Sequence, residues 1–115
     1  MKILICGGRY WNNEKAIESV LKNYPKDTIV IHGNCRGADK LSGMVAERLG
    51  MKVIPFPADW KRYGRGAGPI RNQQMLDEGK PDKVIAFHSN IKKSKGTLNM
   101  INKAKKKGID VEVKK

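Results

Sequence analysis

Residues 2–9 read Lys-Ile-Leu-Ile-Cys-Gly-Gly-Arg, and this stretch decides the fold of the chain. Its first five residues are mostly apolar and end at a glycine, which is typical of a short buried β-strand. Gly7 and Gly8 allow the backbone to turn closely at the end of that strand. Arg9 then offers a planar guanidinium to a phosphate group, although an ordinary turn with a surface arginine gives the same pattern. The stretch predicts a strand over residues 2–6, followed by a candidate anion-binding turn.

Strand and helix patterns alternate along the rest of the chain. Short apolar or β-branched segments predict five strands, over residues 2–6, 28–32, 52–56, 83–87 and 109–113. Apolar residues at helical spacing predict four helices, over about 13–24, 38–49, 69–79 and 97–107. Such alternation is typical of a parallel sheet that helices cover on both faces. We therefore predict an α/β fold, a single Rossmann-like three-layer domain over residues 1–115 with a five-stranded, mostly parallel sheet.

Two strands are predicted at the edges of this sheet, and two segments are predicted to be loops. Pro55 favours an edge position for the third strand, because proline lacks the N–H that a central strand must donate. The alternating pattern of residues 109–113 favours an edge position for the last strand. Residues 57–68 are rich in glycine, proline and charge, and residues 88–95 are polar. Both segments are therefore predicted loops.

Glycine-rich junctions stand where the predicted strands end and the predicted helices begin. In open parallel sheets, ligands bind beyond the carboxyl ends of the strands. The backbone N–H groups and the positive helix ends at such junctions favour phosphate or another anion. We therefore predict one shared nucleotide pocket. Its candidate residues are Gly7, Gly8, Arg9, Gly33, Arg36, Gly37, Asp39, Trp60, Arg71, Asn72, Ser94, Lys95, Gly96 and Thr97.

Three of the polar candidates also have a purely structural interpretation. Asp39 can accept a hydrogen bond from a ribose hydroxyl, or it can cap the helix and brace the loop beside it. Arg71 opposes the helix dipole at a helix start, which indicates binding, but it can also pair with Asp59 or Asp77. Ser94 can donate to a ligand or serve as an ordinary helix cap. The sequence leaves both interpretations open at each position.

Aromatic and imidazole side chains near the strand ends are weaker candidates. Trp60 and Trp11 can stack on a base, although packing against the core is the more common role of such residues. His32 and His88 end two strands, but no third metal ligand accompanies them. We therefore predict no metal site and no cofactor.

The composition favours a cytoplasmic protein with an anionic partner. The chain of 115 residues carries 24 basic and 11 acidic residues, a net charge of +13. Such an excess attracts nucleic acid or phosphorylated small molecules. No segment approaches the ~20 apolar residues of a membrane helix, so no membrane partner is expected. Cys6 and Cys35 lack the spacing of a zinc or redox motif, and we interpret them as reduced thiols.

These motifs resemble those of a known family over essentially the whole chain. The motifs are Gly7-Gly8-Arg9, His32-Gly33 with Gly37-Ala38-Asp39, Phe56-Pro57-Ala58-Asp59-Trp60, Ala67-Gly68-Pro69-Ile70-Arg71-Asn72 and Gly96-Thr97. In this order they resemble the YspA-like, YpsA-related branch of the SLOG superfamily. The resemblance implies a Rossmann-like sheet, a nucleotide-derived or ADP-ribose-like ligand, and assembly into a dimer or tetramer. Some relatives are phosphoribohydrolases, and others bind ADP-ribose-like signals or DNA.

The sequence departs from the hydrolase members of that superfamily at one loop. Their loop has the pattern Pro-Gly-Gly-x-Gly-Thr-x-x-Glu, which holds phosphate and supplies a glutamate. Here the residues before Gly96-Thr97 contain no proline and no double glycine, and Met100 stands where that glutamate falls. A methionine cannot accept a proton, so the chain is expected not to be an enzyme of that kind.

Three functions follow as hypotheses. The first is binding of a nucleotide or ADP-ribose-like ligand, to sense or sequester it. The second is a nucleotide N-glycosidase or phosphoribohydrolase, in which Asp39 or Asp59 acts as acid or nucleophile. The third is nucleic-acid binding through the C-terminal region, which carries nine lysines from Lys92 onward.

Overall fold

A computed structural model describes residues 1–115, and a parallel β-sheet forms its centre. The strands are β1 (Lys2–Gly7), β2 (Ile29–His32), β3 (Lys52–Pro55), β4 (Lys83–Phe87) and β5 (Asp110–Lys114). Their spatial order is β3-β2-β1-β4-β5, and every neighbouring pair is parallel. The order reverses direction between β1 and β4, where a parallel sheet of this kind opens a crevice for a ligand.

Five α-helices accompany the sheet. They are α1 (Glu14–Leu21), α2 (Ala38–Arg48), α3 (Trp60–Tyr63), α4 (Ala67–Gly79) and α5 (Lys95–Lys106), with short 3₁₀ turns at Gly64–Gly66 and Ile91–Lys93. Because side chains alternate along a strand, β1 supplies both faces of the core. Ile3 and Ile5 pack with α1 and α2, whereas Leu4 and Cys6 pack with α4 and α5. The predicted three-layer α/β arrangement of a single domain is confirmed.

The predicted strands and long helices are all present, and the differences lie in the connections. The sheet is wholly parallel, and β3 and β5 form its edges as predicted. The predicted loop over residues 57–68 contains α3, because the Asp59 carboxylate accepts the Arg62 backbone N–H at 3.1 Å and caps a helical turn. Helix α4 starts at Ala67, two residues before the predicted start at Pro69.

Two further features bear on the classes of function. None of the helices is both long and apolar enough to cross a membrane. No group of three or more His, Cys, Asp or Glu side chains lies close enough together to hold a metal ion.

Candidate functional site

The carboxyl ends of β1, β2 and β4 and the first turns of α4 and α5 surround a cavity of about 940 Å³. This volume is at the upper end of the range typical of small-molecule sites, ~300–1,000 Å³. The glycine-rich junctions that the sequence indicates therefore converge on one cleft. It lies at the point where the strand order reverses, as the predicted fold requires.

Most of the predicted site residues line this cavity. They are Gly7, Arg9, Arg36, Asp39, Trp60, Arg71, Asn72, Ser94, Lys95, Gly96 and Thr97. Gly8, Gly33 and Gly37 do not line it. Gly8 lies against the His88 ring, Gly33 against the Arg71 guanidinium and Gly37 against the carbonyls of the turn after β1. Gly33 and Gly37 therefore shape the site without facing it.

The turns after β1 and β2 are pressed together, and Gly37 makes this possible. Its φ of 83° is in the left-handed region, and a Cβ at this position would overlap the carbonyl oxygens of Gly8 and Arg9. The Ala38 N–H donates to the Gly8 carbonyl at 3.1 Å. Arg9 and Arg36 are thereby held on adjoining turns of the same cavity wall.

Side chains brace the turn after β2 from both ends. The Asp39 carboxylate accepts the backbone N–H groups of Gly33 at 3.0 Å and Cys35 at 3.3 Å through the same oxygen, Oδ2. His32 Nδ1 accepts the backbone N–H of Asn34 at 2.9 Å, and Asn34 has a left-handed φ of 59°. Loop bracing, one of the two interpretations of Asp39, is therefore present, and its Oδ1 atom makes no hydrogen bond within the protein.

Arg71 is a buried cation, with 8% of its surface exposed, that ties three segments together. Its guanidinium donates to the Gly33 carbonyl through Nη1 and to Asn72 Oδ1 through Nε at 3.1 Å. Asn72 in turn donates from Nδ2 to the Gly96 carbonyl at 3.3 Å and to Asn99 Oδ1 at 3.1 Å. Arg71 makes no ion pair with Asp59 or Asp77, so that structural alternative is wrong.

Burial shifts the pKa values of two side chains in the β2 turn, each in the direction that favours the neutral form. Asp39 is 7% exposed, and desolvation raises its pKa to about 6, although the Cys35 N–H and the Arg71 charge oppose the shift. Desolvation and the Lys40 charge lower the pKa of His32 to about 4. A carboxyl with a raised pKa that lines a cleft is typical of a functional site.

The first turn of α5 presents hydrogen-bond donors at the opposite side of the cavity. Ser94 Oγ caps the helix by accepting the Thr97 N–H at 3.4 Å, and Thr97 Oγ1 donates to the Gly7 carbonyl at 3.1 Å. Nothing lies within 4 Å of the position that a Gly96 Cβ would take. The backbone N–H groups of such a first turn have no partner inside the helix. The Lys95 and Gly96 N–H groups are consequently open to an anion, whereas Ser94 Oγ already accepts the Thr97 N–H.

The charge that lines the cavity is strongly positive. Six cationic side chains face it, and the Asp39 carboxyl is the one acidic group among the lining residues. The cations are Arg9, Arg36, Arg65, Arg71, Lys93 and Lys95. Clefts lined by one sign of charge concentrate ligands of the other sign.

The two tryptophans differ in their positions. Trp60 lines the cavity and is 57% exposed, so its ring is available for stacking. Trp11 packs on Phe87 with a ring-centroid distance of 5.6 Å, and its Nε1 donates to the Asn13 carbonyl at 3.0 Å. Trp11 therefore packs as its structural alternative predicted, and it also lines a smaller neighbouring cavity.

Sequence reasoning missed several residues that line the cavity. Tyr10 lies next to Arg9 and Arg65 precedes α4, so adjacency to a predicted turn was the available signal for both. Cys35 and Asn99 also line it, and nothing in their local sequence distinguishes them from surface residues. Asp59 does not line the cavity, because its carboxylate caps α3.

A family model confirms the resemblance that the motifs suggested. Residues 1–63, more than half of the chain, match the model of the YAcAr family, described as the YspA, cpYpsA-related SLOG family. The chain belongs to this SLOG family. It is also 35% identical over 119 residues to the Gene 61 protein of Mycobacterium phage D29, covering 96% of this chain and 93% of that protein.

The fold of this SLOG protein also occurs in a larger solved structure. The X-ray structure of DNA processing protein A (DprA) from Streptococcus pneumoniae superimposes with a TM-score of 0.78 at 22% identity. The match covers 97% of this chain and 49% of the DprA chain, so the SLOG chain spans about half the length of that protein. At this identity the likeness concerns the fold alone.

Proposed function

We propose that this SLOG protein binds a nucleotide or ADP-ribose-like phosphorylated ligand in the cavity at the carboxyl ends of its strands. The observation that carries the proposal is the convergence of six cations and the open first turn of α5 on one cavity of about 940 Å³. Family membership supports it, because the resemblance implies a nucleotide-derived ligand. Sensing or sequestration of the ligand is the corresponding role.

Each part of the cavity suits a different part of such a ligand. The Gly96 and Thr97 turn, with the Lys95 charge, suits a phosphate. Arg36 and Arg9 can add charge-assisted hydrogen bonds to phosphate oxygens. Asp39 Oδ1, which makes no hydrogen bond within the protein, can accept a hydrogen bond from a ribose hydroxyl. Trp60 can stack on a base.

Two arginines of similar local setting allow a sharp test. Arg36 lies over the Tyr10 ring at 5.7 Å and lines the cavity, whereas Arg62 lies over the Tyr63 ring at 5.2 Å and does not. Isothermal titration calorimetry should show that Arg36→Ala weakens AMP or ADP-ribose binding about tenfold or more, since a hydrogen bond to a charged group contributes ~1.5–3 kcal/mol. Arg62→Ala should leave the affinity within about twofold.

The panel should contain AMP, ADP, ADP-ribose and cyclic ADP-ribose at concentrations up to millimolar. No heat of binding and no thermal shift with any of them would overturn the proposal. Equal losses from Arg36→Ala and Arg62→Ala would show that net charge, and not this cavity, attracts the ligand.

Hydrolysis of the bound nucleotide is the alternative within the same cavity. Asp39 is the one carboxyl group that faces it, and a raised pKa suits a general acid near neutral pH. Met100 is fully buried and lines the cavity near the first turn of α5, and it cannot serve as an acid or base. An assay for released base or ribose phosphate with wild type and Asp39→Asn decides between binding and turnover.

Nucleic-acid binding is a second candidate that the charge favours. Part of the lysine-rich C-terminal region is already engaged, since Lys103 donates to Gln73 and Lys107 pairs with Asp77. Exposed Lys92 and Lys93 on the loop after β4 remain for phosphate contacts. Fluorescence anisotropy with single-stranded DNA should then show affinity that falls steeply between about 50 and 200 mM salt.

The expected dimer or tetramer stays a prediction, which native mass spectrometry can test.

A further inference from the structure

A second, smaller cavity of about 450 Å³ adjoins the candidate site. Arg9, Tyr10 and His88 line both cavities. The two cavities are therefore parts of one cleft, and they meet where the turn after β1 lies beside the loop after β4. The sequence motifs indicated Gly8 and Arg9, which line the smaller part, but did not separate it from the larger one.

His88 stands at the junction of the two cavities. Its ring lies against the β1 turn, since a Cβ at Gly8 would be 3.1 Å from the His88 Cδ2 atom. Its Nδ1 accepts the Asn90 backbone N–H at 2.8 Å. The neutral ring must then carry its proton on Nε2. Nε2 is consequently the donor that His88 can offer to a ligand oxygen.

Tyr10 supplies a flat aromatic surface at the same junction. It is 82% exposed, which is unusual for a large ring, and the Arg36 guanidinium lies 5.7 Å from its centroid. This contact orients the ring beside the cations of the larger cavity. An exposed, oriented tyrosine is suited to contact a base or ribose that passes from one cavity to the other.

The smaller cavity has a different chemistry from the larger one. Neutral polar groups such as Asn12 and Ser89 line it together with Trp11 and two cations, Arg9 and Lys115, and no Asp or Glu side chain faces it. Amides and hydroxyls recognise the edges of a base or the hydroxyls of a sugar. The smaller cavity has two cations against six in the larger one, so it attracts phosphates less strongly.

We propose that the cleft binds a ligand with two ring-bearing halves joined by one or two phosphates. One half and the phosphates occupy the larger cavity, and the second nucleoside or ribosyl half occupies the smaller one. Arg9 and His88 contact the joining phosphates where the cavities meet. This inference rests on the proposed function, and it specifies the size and the two-part build of the ligand.

Blocking the smaller cavity alone tests the proposal. Ser89 is exposed and lines only that cavity, so Ser89→Trp fills it without removing a hydrogen bond of the fold. Ser19→Trp on the exposed face of α1 is the matched control. The ligands are AMP, ADP-ribose as a pyrophosphate-joined probe, and the 5′-phosphorylated linear diadenylate as a phosphodiester-joined probe, each measured by calorimetry.

Wild type should bind at least one two-part probe about tenfold more tightly than AMP, a difference of ~1.4 kcal/mol. Ser89→Trp should abolish that advantage and leave AMP binding within about twofold, whereas Ser19→Trp should change neither. Which of the two probes gains affinity identifies the type of linkage. Should Ser89→Trp fail to fold, Asn12→Trp, at another exposed residue that lines only the smaller cavity, is expected to lower two-part binding about fivefold or more while AMP binding changes less than twofold.

The failure of this proposal is distinct from the failure of the proposed function. If AMP binds and Arg36→Ala weakens it, but the two-part probes bind no more tightly or Ser89→Trp leaves their advantage intact, the cleft takes a mononucleotide and this inference is wrong. If none of the three probes binds to wild type, this inference is overturned, and the proposed function is overturned as well when ADP and cyclic ADP-ribose also fail to bind.

Discussion

The turn after β2 and the loop after β4 border the same cavity, yet buried side chains brace the first, whereas the partly exposed His88 and Ser94 brace the second. In the β2 turn, Asp39, His32 and the distant Arg71 hold successive backbone groups. In the β4 loop, the lysines are exposed and the space around Gly96 is empty. A small site needs both kinds of wall, because a fixed wall orients the ligand and an open one lets it enter.

Burial of charged side chains in the β2 turn costs free energy of folding, and the loop after β4 has no such cost. Asp39 and Arg71 are both nearly buried, and desolvation of charged groups destabilises the folded state unless partners compensate. Arg71 lowers the pKa of Asp39 against that desolvation without forming a direct ion pair. The stability of the fold should therefore depend much more on the β2 turn than on the β4 loop, and four measurements test this contrast.

Arg71→Ala should have the largest effect. It leaves the Gly33 carbonyl without its donor, removes the cation near the buried Asp39 carboxyl and empties the space that the side chain fills. We expect a loss of about 3 kcal/mol in the free energy of unfolding, measured by urea denaturation at pH 7.

Arg62→Ala is the control and should change stability by less than ~0.5 kcal/mol. Arg71→Lys should recover only part of the loss, because an ammonium cannot reproduce the planar fork that reaches both Gly33 and Asn72. A loss below ~1 kcal/mol for Arg71→Ala would show that the β2 turn is held by Asp39 and His32 alone.

The pH dependence of stability should reveal two opposing titrations in the braced wall. Asp39 has a folded pKa of about 6 against an ordinary value of 3.8, so its contribution to stability is present at low pH and is lost as pH rises through 6. His32 has a folded pKa of about 4 against 6.5, so its contribution is present above 6.5 and is lost as pH falls towards 4. Between pH 4 and 6.5 the two nearly cancel.

A variant that lacks one of the two groups should show the pH dependence of stability that the other group causes. Relative to wild type, Asp39→Asn should lose about 2 kcal/mol of stability as pH falls from 6.5 to 4, and His32→Asn should gain about 2–3 kcal/mol. Differences from wild type remove the titration of the surface carboxyls, which all three proteins share. Parallel pH profiles for wild type and both variants would contradict the shifts.

The sequence could predict the features that depend on neighbouring residues, but not those that depend on residues far apart in the chain. The alternation of Ile3 and Ile5 with Leu4 and Cys6 records which side of the sheet each helix covers, and the glycine junctions record where the backbone turns. The network in the β2 turn joins Gly33 to Arg71 across 38 positions of the chain. No local pattern encodes that pairing, because it exists only once the sheet order brings α4 beside β2.

Gly96→Asp tests the open wall by separating binding from stability. A Cβ at position 96 meets nothing within 4 Å outside its own helix, and the new carboxylate stands in the first turn of α5, where an acidic group is favourable by ~0.3–1 kcal/mol. Stability should thus be unchanged or slightly higher, while AMP binding measured by calorimetry should weaken more than about tenfold. Gly96→Asn matches the size without the charge and should stay within about threefold of wild type. Equal binding by both variants would place the phosphate elsewhere.

Ser94→Ala should have the smallest effect on stability. It measures how much the Ser94 side chain stabilises the loop after β4. The variant removes the cap that accepts the Thr97 N–H and the hydroxyl contact at 2.9 Å to Thr97 Oγ1, but Thr97 can still donate to the Gly7 carbonyl. We expect a loss of about 0.5–1 kcal/mol in the free energy of unfolding, with Ser94→Asp restoring it, because a carboxylate caps a helix as well as a hydroxyl does. A loss as large as that of Arg71→Ala would mean that the junction of α5 with β1 is as tightly held as the β2 turn. The entry of a ligand would then require this junction to open, and the contrast between a fixed and an open wall would be wrong.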